Sequence, residues 1–180
     1  MNHDQSGPRL AETFSNYYEE VLAYCARRVG RSEAEDVAAD VFAIAVRRAD
    51  EIDWSTVRPW LYGIARGVLA NRWRTVQRRQ RLLARMTIFS QTTQEPPVDV
   101  VVRRAEDHEA LVALQGLRAN DREVLMLAAW EDLSGPEIAK ALGITVSAAE
   151  QRLHRAKKRY ARVFDPTRTA RSLQTEGLGS

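Results

Sequence analysis

The stretch LSGPEIAKALGITVSAAEQRLHRAKKRY, Leu133–Tyr160, decides the fold class. Ile138, Ala141 and Leu142 form a short helical stripe, and Ala149, Leu153, Ala156, Tyr160 and Val163 form a second. Between them Gly143 supplies a residue able to take the left-handed conformation that closes a helix. Pro136 falls in a first turn, where its missing N–H costs no helical bond. Ala139 is small enough for close helix approach, and Ile144 and Val146 are placed to fill the wedge. This pattern predicts a helix-turn-helix, whose second helix normally lies in the DNA major groove. With the apolar stripe turned inward, the outer face presents Ser147, Glu150, Gln151, His154, Arg155 and Lys158. Glutamine and arginine make paired hydrogen bonds to adenine and guanine edges, while Lys158 and Arg159 suit phosphates. Glu150 fits that face as a helix cap, the favoured reading, or as an acceptor from a cytosine amino group. An ordinary amphipathic helical hairpin would carry the same two stripes, so the remainder of the chain has to decide.

The remainder is also helical in period. Phe14, Tyr17, Val21, Tyr24 and Cys25 share one stripe; Val37, Val41, Ile44 and Ala45 share another. Val57, Trp60, Leu61, Ile64, Val68 and Leu69 make a third, followed by series at Leu111–Leu117 and Val124–Ala128. Seven helices result. Ser32 with Glu35, Ser134 with Glu137, Ser147 with Glu150 and, more loosely, Asn120 with Glu123 fit the capping box that marks helix starts. Around Pro96-Pro97 the stripes stop, and the polar text of 87–103 reads as a flexible linker. The chain is therefore predicted to be all-α: two small helical domains, 10–86 and 104–164, the second containing the helix-turn-helix, with a disordered tail at 165–180.

The 180 residues, 44% hydrophobic and 28% charged, can bury a core. No run approaches the length of a membrane span, and the N-terminus lacks a signal-peptide pattern, so a cytoplasmic protein without membrane insertion is expected. The single cysteine, Cys25, excludes an internal disulfide framework. His3, His108 and His154 share no metal-ligand spacing, and there is no phosphate-cradling glycine loop or nucleophile–base pair. No cofactor, metal or catalytic residue is expected.

Charge is distributed unevenly. The net charge is only +3, yet residues 66–81 carry six arginines and no acid, and residues 152–162 carry six basic residues and no acid. Two compact cationic tracts on an otherwise acidic chain point to two contacts with a polyanion. The first tract lies in VRPWLYGIARGVLANRWRTVQRRQR, residues 57–81, with Arg66, Asn71, Arg72, Arg74, Arg78 and Arg79 opposite an apolar face. Trp54, Trp60, Tyr62 and Trp73 are interleaved with the charge. Cations with aromatic platforms suit single-stranded or unstacked DNA, although Trp60 and Trp73, each taken alone, read better as core. Trp54, in the loop EIDWST, is expected to border a pocket for an extruded base. In SEAEDVAADVFAIAVRR, residues 32–48, Glu33, Asp36 and Asp40 form an acidic edge that fits a basic protein partner or simple solvation.

Taken together, these segments resemble a bacterial RNA polymerase sigma factor of the extracytoplasmic-function class, over about residues 13–164. AEDVAADVF resembles that family's polymerase-binding helix through Asp36, Asp40, Val41 and Phe42. RPWLYGIARGVLANRWR resembles its segment for opening and reading the minus-ten element, and DREVLMLAAW with the helix-turn-helix resembles its minus-thirty-five domain. Gly67, where asparagine is common, and Ala148-Ala149-Glu150 depart from the family pattern. The resemblance implies that RNA polymerase core (its beta and beta-prime subunits), promoter DNA and an anti-sigma factor are partners. The minus-ten segment is matched through Trp60, Leu61, Tyr62, Ile64, Ala65, Arg66 and Arg72, and together with the basic-aromatic reading this gives minus-ten contacts at Trp54, Trp60, Arg66, Asn71, Arg72, Arg74 and Arg78. The competing reading is a helix-turn-helix regulator that binds duplex operator DNA without polymerase; such a protein needs neither the acidic edge nor a second basic-aromatic tract.

Overall fold

A computed structural model describes residues 6–86 and 105–164. Among them are seven α-helices, two 3₁₀ turns and no strand. The expected linker, 87–103, and tail, 165–180, lie outside the described residues. The helices are α1 (Ser6–Val29), α2 (Arg31–Arg47), α3 (Val57–Met86), α4 (Ala105–Gln115), α5 (Ala119–Ala129), α6 (Gly135–Leu142) and α7 (Val146–Val163). The chain divides into two compact units: α1–α3 form the first, and α4, α5, α7 and the start of α6 belong to the second.

In the first unit the apolar stripes meet. Val21, Tyr24 and Cys25 of α1 face Ala34, Val37, Ala38, Val41, Phe42 and Ala45 of α2 and Leu61, Tyr62, Ala65 and Leu69 of α3, all buried. Alanines at 34, 38 and 45 let α2 approach its neighbours closely, and large rings fill the ends of the contact. Phe42 packs against Phe14 with centroids 4.4 Å apart, and Tyr24 against Tyr62 at 5.1 Å. Glu20 of α1 ties α1 to α3, accepting from Arg58 Nε at 2.8 Å and from the Tyr62 hydroxyl at 3.2 Å. Pro59 sits in the first turn of α3, where no intrahelical bond is lost.

The second unit is organised around α5. Its Arg122 is buried and donates to the carbonyls of Leu114, Gln115 and Leu117 at 2.8–3.0 Å, satisfying the end of α4. The neighbouring Asp121, also buried, is paired with Arg159 of α7. Val124, Leu127, Leu133, Ile138, Ala149 and Ala156 complete the core. Gly143 has φ 63°, the left-handed turn expected between α6 and α7.

The helix starts differ from the capping reading at three of four places. Gly30, with φ 79° and ψ 166°, caps α2 without a side chain, so Ser32 lies inside the first turn. The glycine also closes α1, its amide donating to Ala26 O at 3.0 Å. α5 begins after Arg118 rather than Asn120. α7 is capped by Thr145, whose hydroxyl accepts from the Ala148 amide at 3.2 Å, so neither Ser147 nor Glu150 is needed there. At α6 the glutamate arm forms: Glu137 accepts from the Ser134 amide at 2.8 Å and its hydroxyl at 2.6 Å. Ile144 is half-buried, but Val146 is exposed and does not fill the wedge.

Because Asp121 is buried and charged, removing it leaves Arg159 without its partner. Asp121→Ala is expected to lower the stability of the second unit by about 1.5 kcal/mol. Hydrogen exchange at α5 and α7 amides, compared with α1–α3 as an internal control, measures this.

Candidate nucleic-acid interface

The tract on α7 lies on a helix whose other side is held by a core, whereas the tract on α3 starts on such a helix and runs beyond its core. On α7, Ala149 and Ala156 are fully buried, while Ser147, Glu150, Gln151, His154, Arg155 and Lys158 are all exposed. At 3.6 residues per turn these six span an arc of about 140°. Gln151 Nε2 reaches the Ser147 hydroxyl at 3.4 Å. Arg159, read as a phosphate contact, instead points inward to Asp121. Glu150 does not cap its helix; its stem lies against Gly135, where an added β-carbon would sit 3.2 Å from the Glu150 Cγ. A glycine at the start of α6 therefore makes room for that acid.

On α3, Arg66, Asn71, Arg74, Arg78 and Arg81 are exposed and also fall within about 140° of arc. Arg72 is an exception. It continues the stripe of Leu61, Ala65 and Val68, is half-buried, and places Nε 3.3 Å from Glu33 Oε2 on α2. Past Leu69 the helix has few buried residues, and the arginines and glutamines that continue it are good helix formers. Trp60 and Trp73 are half-buried, intermediate between platform and core.

The loop before α3 is more ordered than its sequence implies. Ala49–Glu51 and Trp54–Thr56 are 3₁₀ turns. Asp53 caps the second: Oδ1 accepts from the Ser55 hydroxyl at 2.6 Å and the Ser55 amide at 3.1 Å, and Oδ2 accepts from the Thr56 hydroxyl at 3.0 Å. The Ser55 hydroxyl, then the Thr56 hydroxyl and the Ser55 amide, hold the Asp53 carboxyl below the usual carboxylate range. Trp54 is half-buried, with the Arg9 guanidinium 5.6 Å from its ring centre. Arg48 donates to Glu51 at 2.9 Å and stands 6.0 Å from the Trp60 ring. Glu51 is correspondingly held low by the Arg48 hydrogen bond.

The acidic edge of α2 is real: Glu33, Asp36 and Asp40 are exposed. Val41 and Phe42, grouped with those acids as partner contacts, are instead core residues, 0% and 5% exposed. They lie about 100° and 200° around the helix from Asp40, in the core, and their role is to fix the helix. Asp40, Ala43, Ile44 and Arg47 form one wall of an open groove of about 450 Å³, with Val68, Asn71 and Arg72 on the other. Among the described residues no acid, histidine or cysteine cluster could hold a metal, and no helix is long and apolar enough to cross a membrane.

Four features escaped sequence reasoning: the Thr145 cap, the Arg122 hub, the Glu33–Arg72 pair and the Arg9–Trp54 contact. Thr145-x-x-Ala148 lacks the glutamate that makes a capping box visible. The two contacts that join distant parts of the first unit have no local signal.

The sigma-70 region 2 family model matches residues 13–79, and the sigma-70 region 4 model matches residues 107–159. The chain is 31% identical over 160 residues to RNA polymerase sigma factor YlaC of Bacillus subtilis, covering 87% of this chain and 91% of that one. It is 30% identical over 154 residues to RNA polymerase sigma factor CnrH of Cupriavidus metallidurans, covering 80% and 81%. The solved structure of CnrH in complex with the cytosolic domain of CnrY shares the fold with a TM-score of 0.56 at 25% identity, over 86% of each chain. Sigma factor RpoE of Bartonella quintana, solved with the anti-sigma factor NepR, shares the fold with a TM-score of 0.59 at 18% identity, covering 86% of this chain and 96% of that one. The chain belongs to the RNA polymerase sigma factors of the extracytoplasmic-function class.

Proposed function

We propose that the chain is an initiation factor, without catalysis of its own, in which three surfaces act in concert on RNA polymerase core and promoter DNA. The exposed Asp36 and Asp40 of α2 dock on a basic surface of the core enzyme. The cationic face of α3 (Arg66, Asn71, Arg74 and Arg78) follows the opened minus-ten strand, with Arg72 and Trp60 at its margin. Trp54, held on the turn capped by Asp53, stacks on an extruded base; the few kcal/mol lost on unstacking are about what such a site offsets. Residues 10–86 form the unit that does this, and residues 104–164 form the unit that reads the minus-thirty-five element. There Gln151 and Arg155 meet base edges, while Ser147, His154 and Lys158 approach the backbone. Glu150, exposed on the same face, accepts from a cytosine amino group.

The observation that carries this reading is the pairing of two cationic helix faces, on α3 and α7, with a separate acidic edge on α2. An operator-binding regulator has no use for that edge. Neither tract need bind tightly alone: with about five phosphates neutralised by each, affinity falls with a log–log salt slope of about −3.5 on a single strand and about −4.5 on duplex. Docking on the polymerase brings both to one promoter at high effective concentration. An anti-sigma protein that covers these surfaces is a further expected partner, in keeping with the solved pairing of RpoE with NepR.

Run-off transcription by core enzyme plus this chain on a genomic DNA library is expected to give discrete starts, and Asp36→Lys/Asp40→Lys to abolish both core association and transcripts. Transcripts undiminished in that variant would remove the docking assignment. Trp54→Ala is expected to slow promoter opening about tenfold, read by a fluorescent base in the bubble, with upstream duplex contacts intact. Arg155→Ala should cost about 1–3 kcal/mol of discrimination at one minus-thirty-five position, measured by competition among single-base variants.

A further inference from the structure

Arg72 belongs to the cationic tract of α3, yet its Nε lies 3.3 Å from Glu33 Oε2 at the start of α2. Helix geometry explains the pairing. Arg72 follows Leu61, Ala65 and Val68 on the side that packs toward α2, whereas Arg66, Arg74 and Arg78 face solvent. The two side chains are 35% and 53% exposed, so solutes reach both. A DNA phosphate and the Glu33 carboxylate are rival acceptors for one guanidinium.

We propose that Glu33 masks Arg72 in the free chain, a positioning residue that withholds one cation from nucleic-acid phosphates. This rests on the reading of α3 as a DNA-binding tract. The strength of the pair suits the role. An exposed ion pair is weak enough for a phosphate to displace, whereas a buried one would remove Arg72 from service. Asp40, Arg47, Asn71 and Arg72 line the same groove, so this cation lies where the docking helix and the DNA tract adjoin. The masking makes indiscriminate binding of nucleic acid by the free chain weaker than the six arginines of the tract alone would give.

The test is binding of the full-length free chain to labelled single-stranded DNA, followed by fluorescence anisotropy over a series of salt concentrations. Glu33→Gln is expected to tighten binding about two- to fivefold, the range of an exposed ion pair. It should also steepen the log–log salt slope by about 0.7, one further phosphate on a single strand. Glu19→Gln makes the same charge change on α1 and should leave the slope unaltered. Arg72→Gln is expected to weaken binding, and in its presence Glu33→Gln should add nothing. Unchanged or weaker binding by Glu33→Gln overturns the masking, as does an equal gain in the Arg72→Gln background, which would mean that Glu33 acts through overall charge. If Arg72→Gln itself leaves affinity unaltered, the DNA-binding reading of Arg72 fails and the masking with it. A loss with Arg72→Gln but no gain with Glu33→Gln removes the masking alone.

Discussion

Asp121 in α5 and Arg159 in α7 hold the second cationic helix against its unit, and what α7 can present depends on that attachment. The fully buried residues of α7 are alanines, which bury little area, with Leu153 and Tyr160 half-buried beside them. One arginine of the basic tract is turned inward and fixes the rotation that leaves the others outward. Arg122, next to Asp121, does the same for the preceding helix by satisfying three carbonyls at its end. A polar hub on α5 thus does what a larger hydrophobic seam would do in a bigger domain, with directional bonds that specify register as well as proximity.

The first unit repeats the logic with different residues. Arg58 with Glu20, Arg48 with Glu51 and Arg72 with Glu33 each commit a cation to geometry. The net charge of +3 therefore understates how sharply the remaining charge is localised. At physiological salt the screening length is about 8 Å, so what matters to a polyanion is the local density on one face and not the total.

Much of the architecture was legible because its signal is local. Helical stripes repeat within a few residues, and the seven helices, the turn at Gly143 and the six exposed residues of α7 follow from them. The signals that failed were those decided by competition between neighbours. Ser32 and Ser147 each have the chemistry of a cap, but α2 starts directly after Gly30, which puts Ser32 inside the helix, and at α7 the Thr145 hydroxyl takes the Ala148 amide. Val41 and Phe42 adjoin exposed acids in the sequence yet face the other way, since consecutive positions on a helix are 100° apart. Arg72 and Arg159 looked like their neighbours because composition does not record which side of a helix meets a carboxylate from elsewhere in the chain.

The distal half of α3 has a thermodynamic consequence of its own. Beyond Leu69 it is a nearly unsupported helix, and Arg74 and Arg78 stand four residues apart on it, a like-charge spacing that costs about 0.2–0.5 kcal/mol. Helix–coil equilibria so poised respond to whatever neutralises the repulsion. A polyanion laid along this face would remove that penalty and favour the wound form of the segment.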